Sequence, residues 1–151
     1  MGPEATLFQL APGQRVRRVI NGLDVLYAGV DLASPPSALT GDCVVVLASR
    51  GGLDAAEAVQ RARALLKQGA HVVVGRGFGA AVPVEQVDGR VLALSLGPFL
   101  SGEDGVGEVL GATCTKDGVR ARTVPVRVTR GVPALDLDRL AAELDLPRTF
   151  D

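Results

Sequence analysis

Two arginines stand where apolar runs of the sequence end, and these are the residues best suited to bind a ligand. Arg50 follows the run Asp42 to Ala48, and Arg76 follows the run His71 to Val74. Parallel strands bring their carboxyl ends together, and α/β sheets bind ligands at that edge. Guanidinium groups bind phosphate or carboxylate through paired N–H donors, and loop amides can assist them. The predicted anion site comprises Ser49, Arg50, Gly75, Arg76, Gly77 and Gly79.

Other motifs have simpler structural interpretations. The run Gly75 to Ala80 fits the dinucleotide pattern G-x-G-x-x-[GA], but Pro83 comes too early for the helix that this use requires. His71 is the single histidine of the chain and cannot supply the clustered ligands of a zinc site, so we interpret it as a structural or surface residue. Arg50 and Arg76 could themselves be solvated loop residues. We predict no catalytic residue, no metal and no cofactor.

The acidic residues have local explanations. Asp54 and Glu57 have the spacing of a capping box at the start of a helix. Asp31 and Asp42 border strands and loops, and we predict a catalytic role for neither of them.

The two cysteines, Cys43 and Cys114, lie in apolar, strand-like runs. Two thiols without motif spacing are typical of reduced core residues. We therefore predict two buried free thiols, with a disulfide or a reactive thiol as the alternatives.

Composition excludes several classes of protein. The chain has 151 residues, 47% of them hydrophobic, and a formal net charge of −1. A nearly neutral chain lacks the basic surface that nucleic-acid binding uses, and no run approaches the ~18 apolar residues of a membrane span. The first residues lack the basic and apolar regions of a signal peptide. We expect a cytoplasmic protein with a lead-in segment, 1–14, and a single α/β domain, 15–151.

A strand–helix–strand unit should position the two arginines. The helix predicted over Leu53 to Gln68 has Asp54 as its cap and Gly69 at its end. It separates the apolar runs 42–48 and 71–74, which makes 42–74 a βαβ unit with parallel strands. Other predicted elements are two hairpins, 15–30 and 107–128, a strand at 90–96 and a final helix at 136–146.

Three segments of the chain resemble one protein family in order and spacing. DCVVVLASRGG (42–52) is similar to an apolar strand that ends in His-Trp-Gly, and QGAHVVVGRGFG (68–79) to a strand that runs into Gly-x-His-Pro-His. DGRVLALSLGPFL (88–100) resembles a strand that ends in Ser-Leu-Gly-Asn-Phe. Residues 15–130 thus resemble the C-terminal half of the CapA-type (poly-gamma-glutamate biosynthesis) proteins of the calcineurin-like metallophosphatase superfamily.

The chain departs from this family at the positions of the metal ligands. Ser49 stands where the resemblance implies the first histidine, and Gly77 and Gly79 stand where it implies the His-Pro-His pair. Pro98 replaces the asparagine of the third segment. A two-metal phosphoesterase needs imidazole and carboxylate ligands, and glycine offers none. The resemblance therefore implies a chain that is not an enzyme by itself.

The resemblance also implies an architecture and partners. We expect half of a metallophosphatase-like β-sandwich: one mixed sheet with a βαβ unit, hairpins, and helices on one face. The other face would be apolar and bare, which predicts a homodimer or a partner resembling the missing N-terminal half. The predicted function is a non-catalytic interaction or scaffold subunit. The alternatives are an anion-binding module at Arg50 and Arg76, and a subunit that completes a metal-dependent phosphoesterase with a partner.

Overall fold

The computed structural model of the chain describes residues 10–76, 84–95, 104–130 and 132–143. Within these ranges the chain forms nine strands and two helices. In chain order they are β1 (Arg15–Ile20), β2 (Leu23–Asp31), β3 (Cys43–Ser49), α1 (Ala55–Lys67), β4 (Val72–Arg76), β5 (Glu85–Val87), β6 (Arg90–Ala93), β7 (Gly105–Thr115), β8 (Gly118–Thr129), β9 (Val132–Leu135) and α2 (Leu137–Glu143). Neither helix of the described chain has the length and apolar character that a membrane crossing requires.

Six strands form a mixed sheet, the first sheet, in the order β1-β2-β3-β4-β6-β5. Strands β2, β3, β4 and β6 are parallel to their neighbours in this series, and the outer strands β1 and β5 are antiparallel to theirs. The predicted βαβ unit is confirmed, since β3 and β4 are parallel and α1 connects them. The predicted cap is confirmed as well, because the Asp54 carboxylate accepts from the Glu57 amide at 2.9 Å.

Tight two-residue turns close both hairpins of the first sheet. Asn21 and Gly22 have φ values of +50° and +79°, and Asp88 and Gly89 have +50° and +72°. Positive φ at both central residues is the requirement of a type I′ turn, which Asn-Gly and Asp-Gly meet well. Local turn chemistry therefore sets the register of β1 on β2 and of β5 on β6.

One face of the first sheet is covered by α1. Apolar side chains of four strands and of the helix form a continuous cluster there. Its largest fully buried members include Leu26, Val44, Val46, Leu65 and Leu92. The helix contributes Ala58 and Ala62, whose small side chains are fully buried in this cluster.

A second, antiparallel sheet in the order β7-β8-β9 lies on the opposite face. Val119 of β8 packs there with Val72 and Val91 of the first sheet. The expectation of one sheet with a bare face is therefore wrong at β4 and β6, which the second sheet covers. The expectation that the helices share one face of that sheet is also wrong, because α2 packs on β8. The reason is that β7 and β8, with 11 and 12 residues, are long enough to pair with each other and still present apolar side chains to the first sheet.

Cys43 of β3 and Cys114 of β7 are joined by a disulfide. Their Cα atoms are 6.2 Å apart, within the range that a disulfide requires. The prediction of two reduced thiols is therefore wrong. Each run was correctly identified as an apolar strand, but the contact between these strands arises from the packing of the two sheets, which no local pattern encodes.

Residues 10–14 pack on β2. The Gly13 amide donates to the Gly29 carbonyl, and the Gly29 amide donates to the Gln14 carbonyl, both at 2.9 Å. The Ala11 carbonyl lies so close to Gly29 that a side chain at this position would overlap it. Leu10 is buried, so this part of the predicted lead-in segment belongs to the packed structure.

Candidate functional site

Three polar residues form a row where β2, β3 and β4 end. The register pairs Asp31 with Ser49, and Ser49 with Arg76. Neighbouring strands lie about 4.8 Å apart, and residues that pair directly share one face of a sheet. We call this row, together with Arg50 and the loops that follow β2 and β3, the carboxyl edge.

The row lies on the face that the second sheet covers. Side chains alternate along a strand, so Ser49 shares its face with Val45 and Arg76 shares its face with Val74. Both valines pack at the cluster between the two sheets. Ser49 is half-buried and Arg76 is exposed, so the polar row continues the apolar contact surface into solvent.

The loops after β2 and β3 bind each other next to this row. The Leu32 amide donates to the Ser49 carbonyl at 2.9 Å, and the Ala33 amide donates to Oδ1 of Asp31 at 2.8 Å. Gly51, with a φ of +64°, lies against the Asp31 carboxylate, where any side chain would overlap it. The loop after β2 and the loop after β3 therefore hold each other in place.

Arg50 is fixed by its own turn. Its Nε donates to the Leu53 carbonyl at 2.6 Å, and the Leu53 amide donates to the Arg50 carbonyl at 3.3 Å. The side chain is half-buried, and its two Nη atoms make no hydrogen bond with any described residue. Arg50 is thus oriented by Nε, while the N–H groups that would bind an anion stay available.

Arg61 of α1 binds the loop after β2 at the carboxyl edge. Its Nη1 donates to the carbonyls of Leu32 and Ala33, each at 3.1 Å, and its Nη2 bonds Glu57 at 3.0 Å. This arginine therefore ties the loop after β2 to the helix.

The predicted site residues are only partly brought together. Ser49 and Arg76 are paired, Arg50 follows Ser49 in the chain, and Gly75 pairs with Ala48 one position further inside the sheet. The predicted residues Gly77 and Gly79 lie outside the described residues.

Sequence reasoning missed Asp31 and Arg61. The only signal for Asp31 was its position after an apolar strand, since its pairing with Ser49 depends on the parallel contact between β2 and β3. No signal identified Arg61, whose carbonyl partners lie 28 and 29 residues away in sequence.

The charges at the carboxyl edge favour an anion. The edge carries two positive guanidinium groups, of Arg50 and Arg76, and one negative carboxylate, of Asp31. One oxygen of that carboxylate already accepts a hydrogen bond from the Ala33 amide. The Ser49 hydroxyl offers a further donor between the charges. Within the described part of the chain, no group of three or more His, Cys, Asp and Glu side chains could hold a metal ion.

His71 lies just before β4, at the opposite edge of the first sheet. Its Nδ1 accepts a hydrogen bond from the Val44 amide at 3.0 Å, which agrees with its interpretation as structural. Burial lowers the pKa of His71, the Arg90 guanidinium lowers it further, and Asp42 opposes the shift. A neutral imidazole with an accepting Nδ1 carries its proton on Nε2.

The fold has a counterpart among solved structures. No family model matches the sequence, and no curated protein matches it. A crystal structure described as that of a hypothetical protein from Thermus thermophilus is similar, with a TM-score of 0.55 and 13% sequence identity. The match covers 78% of this chain and 65% of that protein, so this chain spans less than two thirds of its length. At this identity the likeness shows the fold alone.

Proposed function

We propose that this chain acts by binding rather than by catalysis, and that its carboxyl edge binds an anionic group such as phosphate or carboxylate. The observation that carries the proposal is the register of Ser49 beside Arg76, with Arg50 next in the chain. A hydroxyl and a guanidinium group paired on neighbouring strands, with a second guanidinium group in the turn after β3, match the donors that a tetrahedral or planar oxyanion accepts.

The loops make this arrangement suitable for binding. Arg50 is oriented by the Leu53 carbonyl, and the loop after β2 is held by Asp31 and Arg61. Groups that are already ordered lose less conformational entropy when a ligand binds, which raises affinity.

Titration calorimetry with inorganic phosphate tests the proposal. The double variant Arg50→Glu/Arg76→Glu should lose the binding that the wild type shows, because the charge at the carboxyl edge is reversed. The matched control is Arg120→Glu/Arg122→Glu on β8, away from the carboxyl edge, which changes the net charge equally. Equal binding by both double variants would refute the site.

Self-association is a second proposal, and a separate observation favours it. Val132, Leu135 and Leu137 are 65%, 56% and 61% exposed, and they lie close together on β9 and at the start of α2. Clustered exposed apolar side chains are typical of protein contacts. A second copy of the chain is the proposed partner.

Light scattering after size exclusion tests this second proposal. The wild type should have twice the 15.6 kDa of one chain, and Leu135→Lys/Leu137→Lys should be monomeric. Val87→Lys, at a position 46% exposed on β5, is the control that should stay dimeric. A wild-type chain that is monomeric at every concentration tested would exclude self-association.

The ancestry of the chain is also a proposal. Its support is the sequence likeness of 42–52, 68–79 and 88–100 to the CapA-type family, with Ser49 at one ligand position. The role that follows is a non-catalytic interaction or scaffold subunit derived from a metallophosphatase. Hydrolysis of p-nitrophenyl phosphate with added Mn²⁺ should not exceed the buffer rate. Hydrolysis that co-purifies with the chain and is lost in Ser49→Ala would contradict this role.

A further inference from the structure

The disulfide is the covalent link between the two sheets. Cys43 is the first residue of β3 and is 2% exposed, whereas Cys114, near the end of β7, is only half-buried. The two residues are 71 positions apart in sequence. The bond therefore joins parts of the chain that no local element would hold together.

Among the described residues, the non-covalent contact between the sheets is small. Val119 packs with Val72 and Val91, and its amide donates to the Gly89 carbonyl at 2.8 Å. The surrounding side chains are only partly buried: Val45, Val74, Val84, Leu110, Cys114 and Ala121. Regions with few buried apolar contacts open at low free-energy cost, so the disulfide contributes much of what holds β7 and β8 against the first sheet.

The two sulfur atoms differ in access to solvent. Thiol–disulfide exchange begins when a thiolate reaches one sulfur, and access decides which sulfur it attacks. The half-buried Cys114 is reachable, while Cys43 is shielded by the first sheet. We infer that the Cys43–Cys114 pair is a reversible thiol–disulfide exchange site, and that its redox state decides how firmly the β7–β8 hairpin covers the first sheet.

The exchange takes place in two steps with a dithiol reductant. One thiolate of the reductant attacks Sγ of Cys114, the bond between the cysteines breaks, and Cys43 leaves as a thiolate that takes up a proton. The second thiol of the reductant, as its thiolate, attacks the mixed disulfide and releases Cys114, which is protonated in turn. The reductant ends as a disulfide and the protein as two thiols. An oxidised small-molecule disulfide reverses both steps.

Reduction would affect one region selectively. The loops of the carboxyl edge are held by bonds to Ala33, Ser49 and Leu53, which do not involve the second sheet. The hairpin, by contrast, would open more often and expose Val72 and Val91.

Hydrogen exchange with mass spectrometry on the full chain tests the inference. Folded, oxidised wild type is compared with the same sample after dithiothreitol. Protection of amides in β7 and β8 should fall about tenfold or more, while amides of β2 and β3 change less than about twofold. Added oxidised glutathione should restore the protection. Complete reduction of the folded protein followed by limiting iodoacetamide should label Cys114 before Cys43.

The double variant Cys43→Ala/Cys114→Ala provides the control. It should match reduced wild type and should not respond to dithiothreitol. If the variant fails to fold, the comparison of oxidised wild type with wild type reduced in its folded state tests the inference. Equal protection of β7 and β8 in the two redox states, earlier labelling of Cys43, or failure to re-form the bond would each overturn the inference.

Discussion

The two faces of the first sheet are covered in different ways. On one face, α1 and the strands bury a continuous set of large side chains, among them Leu26, Leu65 and Leu92. On the other, the described apolar cluster against the second sheet has three buried members, Val72, Val91 and Val119, and the Cys43–Cys114 disulfide joins the two sheets. One face thus depends on apolar burial and the other on a covalent bond, so different changes should damage each.

Loss of the disulfide should have the largest effect. The Cys43→Ala/Cys114→Ala variant should lower the free energy of unfolding by about 4 kcal/mol, because a cross-link over a long loop restricts the unfolded chain. Urea denaturation of variant and oxidised wild type measures the difference. A loss below about 1 kcal/mol would mean that the second sheet is held by its apolar contacts alone.

The helix-covered face should respond to a single truncation. Leu65→Ala should cost about 3 kcal/mol, because Leu65 is fully buried and a cavity remains. Urea denaturation measures this loss in the free energy of unfolding, and the loss should be the same with and without reductant. If Leu65→Ala cost no more than a surface substitution, the assignment of the main core to this face would be wrong.

The contrast between the faces explains what the sequence can predict. The βαβ unit was predictable because Asp54, the helical spacing of Ala58, Ala62 and Leu65, and Gly69 are local signals. The disulfide was not, because Cys43 and Cys114 meet only when two separately formed sheets pack. Periodicity shows which residues are buried, but it does not show what buries them.

The candidate site also contains residues that local patterns predict and residues that only long-range contacts place there. Ser49, Arg50 and Arg76 were predictable from their positions at the ends of strands connected by one helix. Asp31 joins the row only because β2 pairs in parallel with β3 across the connection 32–42. Arg61 reaches the Leu32 carbonyl from a different element, and such a contact leaves no mark in the local sequence.

The second-sheet face should be less sensitive to truncation than the helix-covered face. Val119→Ala should cost about 1.5 kcal/mol in the oxidised protein, because two buried methyl groups are removed from a small cluster. Thermal or urea denaturation beside Leu65→Ala gives the comparison. A larger loss for Val119→Ala than for Leu65→Ala would reverse the order of the two faces.

The smallest effect should be a pH dependence of the free energy of unfolding. It arises from His71, at the edge of the first sheet opposite the carboxyl edge. The pKa of His71 is lowered in the folded protein, whereas the unfolded chain takes up a proton at the ordinary value of 6.5. The unfolded state therefore binds more protons in acid. The stability that neutral His71 contributes is complete above pH 6.5 and declines as the pH falls below it.

A matched variant isolates this contribution. His71→Asn retains a side-chain acceptor for the Val44 amide but does not titrate. Urea denaturation at about pH 7.5 and about pH 5.5 should show a smaller loss in acid for the variant than for the wild type. Identical losses would show that His71 does not titrate differently in the two states.

The central claim, an anion site at the carboxyl edge, is tested most directly by a nuclear magnetic resonance titration of the wild type with inorganic phosphate. The backbone amides of Ser49, Arg50 and Arg76 should show saturable shifts, with no change at Arg120 and Arg122 on β8. Shifts spread evenly over the arginines of the chain, or none at the carboxyl edge, would contradict the claim.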